Sequence, residues 1–145
     1  MNPWSLVLLT PVGFALVCDL RTREIPDWIP VLIVAWAALA TAAGLHDVTW
    51  IGTAAGALLA AVLAAPVFYL GGLGGGDAKL LAAIGAAVGP QALLSVLAWM
   101  AVAGGMLALV AMARRRREFA YGPAIAFGVL VETAWPGGLA RVLLG

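Results

Sequence analysis

Charge is confined to a few places in this chain, and the runs between them are long and apolar. Residues 1–18, 28–45, 51–70 and 80–113 carry no Asp, Glu, Lys or Arg. A helix needs about 20 apolar residues to cross a bilayer, and an uncharged run of that length is hard to place in a soluble fold. Of the 145 residues, 64% are hydrophobic and only 10% charged. Disorder is excluded, because it needs low hydrophobicity and high charge. A soluble globule of this size exposes too much surface for 15 charged residues to cover. The composition therefore predicts an all-α, polytopic membrane protein, a single membrane-embedded domain over 1–145 with no second domain.

The charges fall in three clusters. Asp19, Arg21, Arg23, Glu24 and Asp27 form the first, Asp77 and Lys79 the second, and Arg114 to Arg117 with Glu118 the third. Asp47, Glu132 and Arg141 lie outside them. Residues 1–18, 28–45 and 51–70 read as three spans. The run 80–113 is too long for one straight span and is broken by Gly89-Pro90, a turn pair. It reads as a short fourth span over about 78–89 and a long fifth over about 91–113. A sixth runs from about 121 to 139, with Pro123 in its first turn, where proline is tolerated.

Six transmembrane helices put all three clusters on one side, which the positive-inside rule makes cytoplasmic, with both termini outside. No basic residue precedes the first apolar run, so it reads as a retained span. Gly52-x-x-x-Gly56 and Gly85-x-x-x-Gly89 offer small-residue faces for close helix packing.

Two aspartates stand at the ends of apolar stripes. Asp19 closes the first span, below Leu16, Ala15 and Val12 on its helical face. Asp77 opens the fourth, ahead of Leu80, Leu81 and Ile84. Matched depth on two helices can bring the carboxyls together as an aspartic dyad. Two close carboxylates cannot both ionise cheaply and share a proton. One then acts as general base on a water while the other donates to a scissile carbonyl. Taken alone, Asp19 reads more readily as an interfacial or capping residue than as a catalytic one.

Asp77 follows Gly71-Gly72-Leu73-Gly74-Gly75-Gly76, five glycines in six residues. Such a run lets an extended peptide lie against Gly74, Gly75 and Gly76. It lacks the Gly-Lys-Ser/Thr ending of a phosphate-binding loop. Lys79 can hold a substrate carbonyl, tune the dyad, or reach lipid headgroups. The run Arg114–Arg117 reads as a topology anchor on anionic lipid, and nucleic-acid binding is not expected. Glu132 reads as interfacial near the outer end of the last span, with a functional role as an intramembrane acid left open. Cys18 and His46 read as structural. With one cysteine and one histidine, no metal site and no cofactor are expected.

The rival class is a small transporter or channel with the aspartates as ion or proton sites, which calls for acids near mid-bilayer. A non-catalytic assembly partner is a third reading.

Three stretches resemble the prepilin peptidases, membrane aspartic proteases of the type IV pilus and related systems. Gly74-Gly75-Gly76-Asp77 with the following Ala78-Lys79-Leu80 resembles their GxGD signature. Asp19 through Asp27, ending Glu24-Ile25-Pro26-Asp27, resembles their first aspartate motif, with Asp27 where Asn is usual. Both residue types cap helices well, so a cap for the second span is expected. Tyr121-Gly122-Pro123-Ala124-Ile125-Ala126-Phe127-Gly128 resembles the last-span motif, with Ala120 where Pro is frequent. The resemblance covers the chain in order.

It implies an aspartic endopeptidase that removes the short charged leader of prepilin-like precursors, just before their hydrophobic segment. Cleavage would occur at the cytoplasmic face of a prokaryotic inner membrane, with Asp19 and Asp77 as the catalytic pair. Larger members carry a methyltransferase domain, often with CxxC zinc motifs. This chain is expected to be a peptidase without it, similar to the short enzymes of tight-adherence pilus systems. Oligomeric state is left open.

Overall fold

The computed structural model describes residues 3–22, 24–113 and 121–137, and every regular element in them is helical. The helices are α1 (Pro3–Thr22), α2 (Trp28–Ala42), α3 (Trp50–Tyr69), α4 (Gly75–Ala113) and α5 (Gly122–Ala134). Arg23, the Arg114–Arg117 run, Glu118, Ala120 and Arg141 lie outside the described residues.

Local chemistry sets the helix ends. Thr49 caps α3 in extended conformation, its hydroxyl accepting from the Gly52 N–H at 3.1 Å. Both α2 and α3 end in paired backbone bonds that close on a glycine of positive φ. After α3, the Gly72 N–H donates to the Val67 carbonyl and the Gly71 N–H to Phe68, with Gly71 at φ 75°. After α2, Leu45 donates to Ala40 and Gly44 to Thr41, with Gly44 at φ 62°. This is the Schellman arrangement, which satisfies the last carbonyls and needs a left-handed residue that glycine adopts without strain. Part of the glycine-rich run before Asp77 thus serves to stop α3.

Residue Gly89 divides α4. Its φ of 78° and ψ of 171° are not helical, and Pro90 follows without an N–H to continue the ladder. The break falls at the Gly89-Pro90 pair that the sequence marks. The two halves run in opposite senses. Before the break, α4 leads from Asp77, which shares a cleft with Asp19, to Ala87 and Val88, which share a cavity with Leu8 of α1. After it, the chain passes Gly128 of α5 at Val96 and Ala124 at Gly104, moving back toward Gly122, which touches Asp19. Among the described residues there are thus five helices, the fourth folded back on itself at Gly89.

The first half of α4 is the centre of the bundle. Its Leu80 and Ile84 are buried with Ile29 and Ile33 of α2 and with Val12 of α1. Gly85 meets Gly56 of α3 so closely that a Cβ on either would overlap the other's backbone carbonyl. These two glycines, with Gly89 beside them, are the small-residue contact that lets α3 and α4 touch backbone to backbone. Gly52 faces only its own capping turn.

The outside of the bundle is apolar too. Leu39, Ile51, Leu58, Val62 and Leu109 are all more than half exposed. Water-soluble monomers rarely show so much contiguous apolar surface. Two helices, Trp50–Tyr69 and Gly75–Val110, are long and apolar enough to cross a membrane by length and composition.

Candidate active site

At the end of the bundle where α1 finishes and α4 begins, a cleft of about 580 Å³ opens. Asp19, Glu24, Asp27, Gly74, Gly75 and Asp77 are among its walls. Asp19 is 5% exposed and Asp77 8%, and the two carboxyls are close enough to feel each other's charge. They are separated by 58 positions in sequence (77 minus 19) and meet because α1 ends, and α4 starts, at the same end of the bundle.

The Asp19 carboxyl is anchored by a backbone N–H at a helix start. Oδ2 of Asp19 accepts from the Gly122 N–H at 2.9 Å, the first residue of α5. Asp77 is the third residue of α4, and its Oδ2 lies close against Gly74. The Gly74 carbonyl accepts the first helical bond, from Ala78 at 3.0 Å. Oδ1 of Asp77 is buried and finds no hydrogen-bond partner among the described residues. Buried polar atoms are nearly always satisfied, and an exception calls for a functional or structural reason.

The closeness of α5 to Asp19 depends on Gly122 having no side chain. A Cβ there would run into Oδ2, Cβ and Cγ of Asp19. Sequence reasoning picked out Tyr121-Gly122-Pro123 as a motif but gave it no role. The signal available was a glycine at the first position of a helix, whose free N–H groups attract carboxylates.

The glycines before Asp77 divide their work. Gly74 and Gly75 are exposed and line the cleft. Gly75 and Gly76 are already helical, the first residues of α4. A Cβ on Gly76 would lie 3.1 Å from the Ile25 Cβ, so this glycine also lets α4 seat against the α1–α2 connection. Lys79 lies outside the cleft, where its Nζ is 2.7 Å from Asp27 Oδ1. That pair corrects the expected helix cap. Asp27 stands at the N-cap position of α2 but in helical conformation, with no side-chain bond to the helix. Its carboxylate is turned to Lys79 instead, joining α2 to α4.

Residues 6–109 match the model of the type IV leader peptidase family. The chain belongs to that family. No curated protein and no solved structure matches it. The leader peptidase match takes in both aspartates and the glycine-rich run, but it stops before α5. The Gly122 contact is therefore a feature of this fold beyond the matched region.

Glu132 occupies the other end of the bundle. It is buried rather than interfacial, at 8% exposure, and Oε1 accepts from the Gly137 N–H at 2.9 Å. Glu132, Thr133 and His46 line a separate cavity of about 220 Å³. Nδ1 of His46 accepts from the Val48 N–H at 3.2 Å, which orients the ring against its own loop. Among the described residues, no group of three or more His, Cys, Asp or Glu side chains is placed to hold a metal.

Proposed function

We propose that this leader peptidase is an aspartic endopeptidase in which Asp19 and Asp77 are the catalytic pair. The observation that carries the reading is that two buried carboxyls, from α1 and α4, line one open cleft. The Gly122 N–H holds one oxygen of Asp19, and Oδ1 of Asp77 has no hydrogen-bond partner among the described residues, which leaves it for water and substrate. One carboxylate removes a proton from water, which attacks the scissile carbonyl carbon. The other carboxyl donates its proton to the carbonyl oxygen, giving a neutral tetrahedral diol. The first then returns its proton to the leaving amine as the C–N bond breaks, and the other takes a proton back from a diol hydroxyl as that oxygen becomes the carbonyl of the new carboxyl group, so the pair ends with one shared proton, as it began.

The substrate is a prepilin-like precursor, and the product is the precursor shortened by its leader. Gly74, Gly75 and Gly76 are the wall against which an extended peptide backbone can lie. Cleft and dyad lie at the end of the bundle that carries Arg21 and Lys79, the cytoplasmic end by the positive-inside rule. On this reading the chain makes six transmembrane spans as a multi-pass protein in a prokaryotic inner membrane, with lipid on its apolar exterior and both termini outside. An ion or proton pathway calls for acids near the middle of the bundle. Asp19 and Asp77 sit at its end, which favours the peptidase.

The test is co-expression with small prepilin-like precursors from the same source, followed by mass spectrometry of their N-termini. New N-termini just before the hydrophobic segment are expected. Precursors that keep their leader in every case would overturn the proposal.

A further inference from the structure

Helices α2 and α3 both pack on the first half of α4 but barely on each other. They meet at the end remote from Asp77, where the hydroxyls of Thr41 and Thr53 are 3.3 Å apart. Between them, down to Asp27 and Lys79, a groove of about 600 Å³ opens on the side of the bundle. Its walls are Val31 and Val34 of α2 with Ala57 of α3, and its floor is Ala82 and Ala83 of α4. Alanines on the floor leave room for another helix to approach closely. From Asp27 to Ala35 the groove follows α2 for eight residues, about 12 Å at the helical rise.

The groove is continuous with the catalytic cleft. Asp27 lines both, and its ion pair with Lys79 stands at the boundary. On one side of that pair the walls are polar and acidic, with Glu24, Thr22 and the two aspartates. On the other side they are almost wholly apolar. A chain crossing from cleft to groove must therefore change from polar to hydrophobic where it passes the Asp27–Lys79 pair.

We propose that this groove receives the hydrophobic segment that follows the scissile bond, as a helix laid between α2 and α3 on α4. The inference rests on the leader peptidase reading above and extends it to how the substrate is chosen. Its consequence is that specificity lies in the apolar segment past the cut, and that the Asp27–Lys79 pair sets how far that segment enters before the scissile bond meets Asp19 and Asp77. A lipid acyl chain and a second copy of the protein are the competing occupants.

Two substrates separate the cases: a whole precursor, and a peptide that ends a few residues past the scissile bond. Val34→Trp and Ala57→Phe each fill the groove. Val62→Trp places the same bulk on an exposed face of α3 away from it. The ratio of kcat/KM for the long over the short substrate is expected to fall about tenfold or more in the two groove variants, the scale on which apolar pockets discriminate. In Val62→Trp it should equal the wild-type ratio. An unchanged ratio in the groove variants, or an equal fall in Val62→Trp, overturns the proposal.

Should the bulky variants fail to fold, Val31→Cys alters an exposed side chain, and Cys18→Ser, a near-isosteric change at a partly buried position, leaves it the single cysteine. It is expected to cross-link to a single cysteine in the precursor's hydrophobic segment. Cross-links only between copies of the protein, or none to the precursor, contradict the assignment. If the wild-type protein cleaves neither substrate, the peptidase reading fails, while the cross-link still reports on the groove.

Discussion

Asp19 lies in the last turn of α1, and the group that holds it is 103 positions away in sequence, the Gly122 N–H. An N–H at a helix start is a strong partner for a carboxylate, because the helix has no use for it and its dipole favours negative charge. The contact exists only because residue 122 lacks a Cβ. Gly122→Ala should push α5 and the Asp19 carboxyl apart by a fraction of an ångström to about an ångström. Misplacement on that scale costs on the order of 10²-fold in rate. The expected result is a large fall in kcat with little change in KM, measured with a short peptide substrate. Equal losses in both, or none, would mean that Gly122 does not position the carboxyl. The aspartates themselves were legible in sequence, since a carboxylate at the end of an apolar stripe is conspicuous. The anchor of Asp19 was not, because a hydrogen bond from a backbone N–H leaves no mark on residue type. Asp27 misled for a related reason: a capping residue at a capping position can still find a stronger partner, and Lys79 comes from another helix.

At the scale of elements, the chain writes its boundaries in glycine and proline. Gly44 and Gly71 end α2 and α3, and Gly89 with Pro90 turns α4 back on itself. The last of these was readable because proline removes the N–H that a continuous helix needs. The Schellman endings were less so, since five glycines in six residues conceal which one takes the left-handed conformation. Gly89 has the most to lose by substitution. Its φ of 78° with ψ of 171° is a region that side chains rarely enter, and a Cβ would also stand 3.3 Å from Val48 Cγ1. Gly89→Ala should destabilise the protein by about 1–3 kcal/mol, seen as a lowered midpoint of thermal unfolding in detergent. Gly105→Ala, with open space around the new Cβ and no unusual φ, should leave the midpoint in place or raise it slightly. Equal behaviour of the two variants would contradict the turn assigned to Gly89.

Taken whole, the molecule is apolar inside and out, with its catalytic candidates gathered at one end. That arrangement inverts the usual economy of a soluble enzyme, whose exterior is polar. Here the exterior is expected to meet lipid, and the polar groups collect where the bundle meets water. The gathering of the aspartates at one end of the bundle follows from where the charge clusters fall between the uncharged runs, which is why it was readable in sequence. The groove between α2 and α3 was not, because it arises from how two helices diverge on a third. The central claim is that two carboxyls at that end cleave a peptide bond together. Purified wild-type protein, Asp19→Asn and Asp77→Asn should be compared on one precursor in the same detergent, with insertion and thermal midpoint measured alongside. Both variants should insert and fold, and each should lose cleavage by about 10²-fold or more, the contribution of a general acid or base. Near-normal cleavage by either folded variant would contradict the claim.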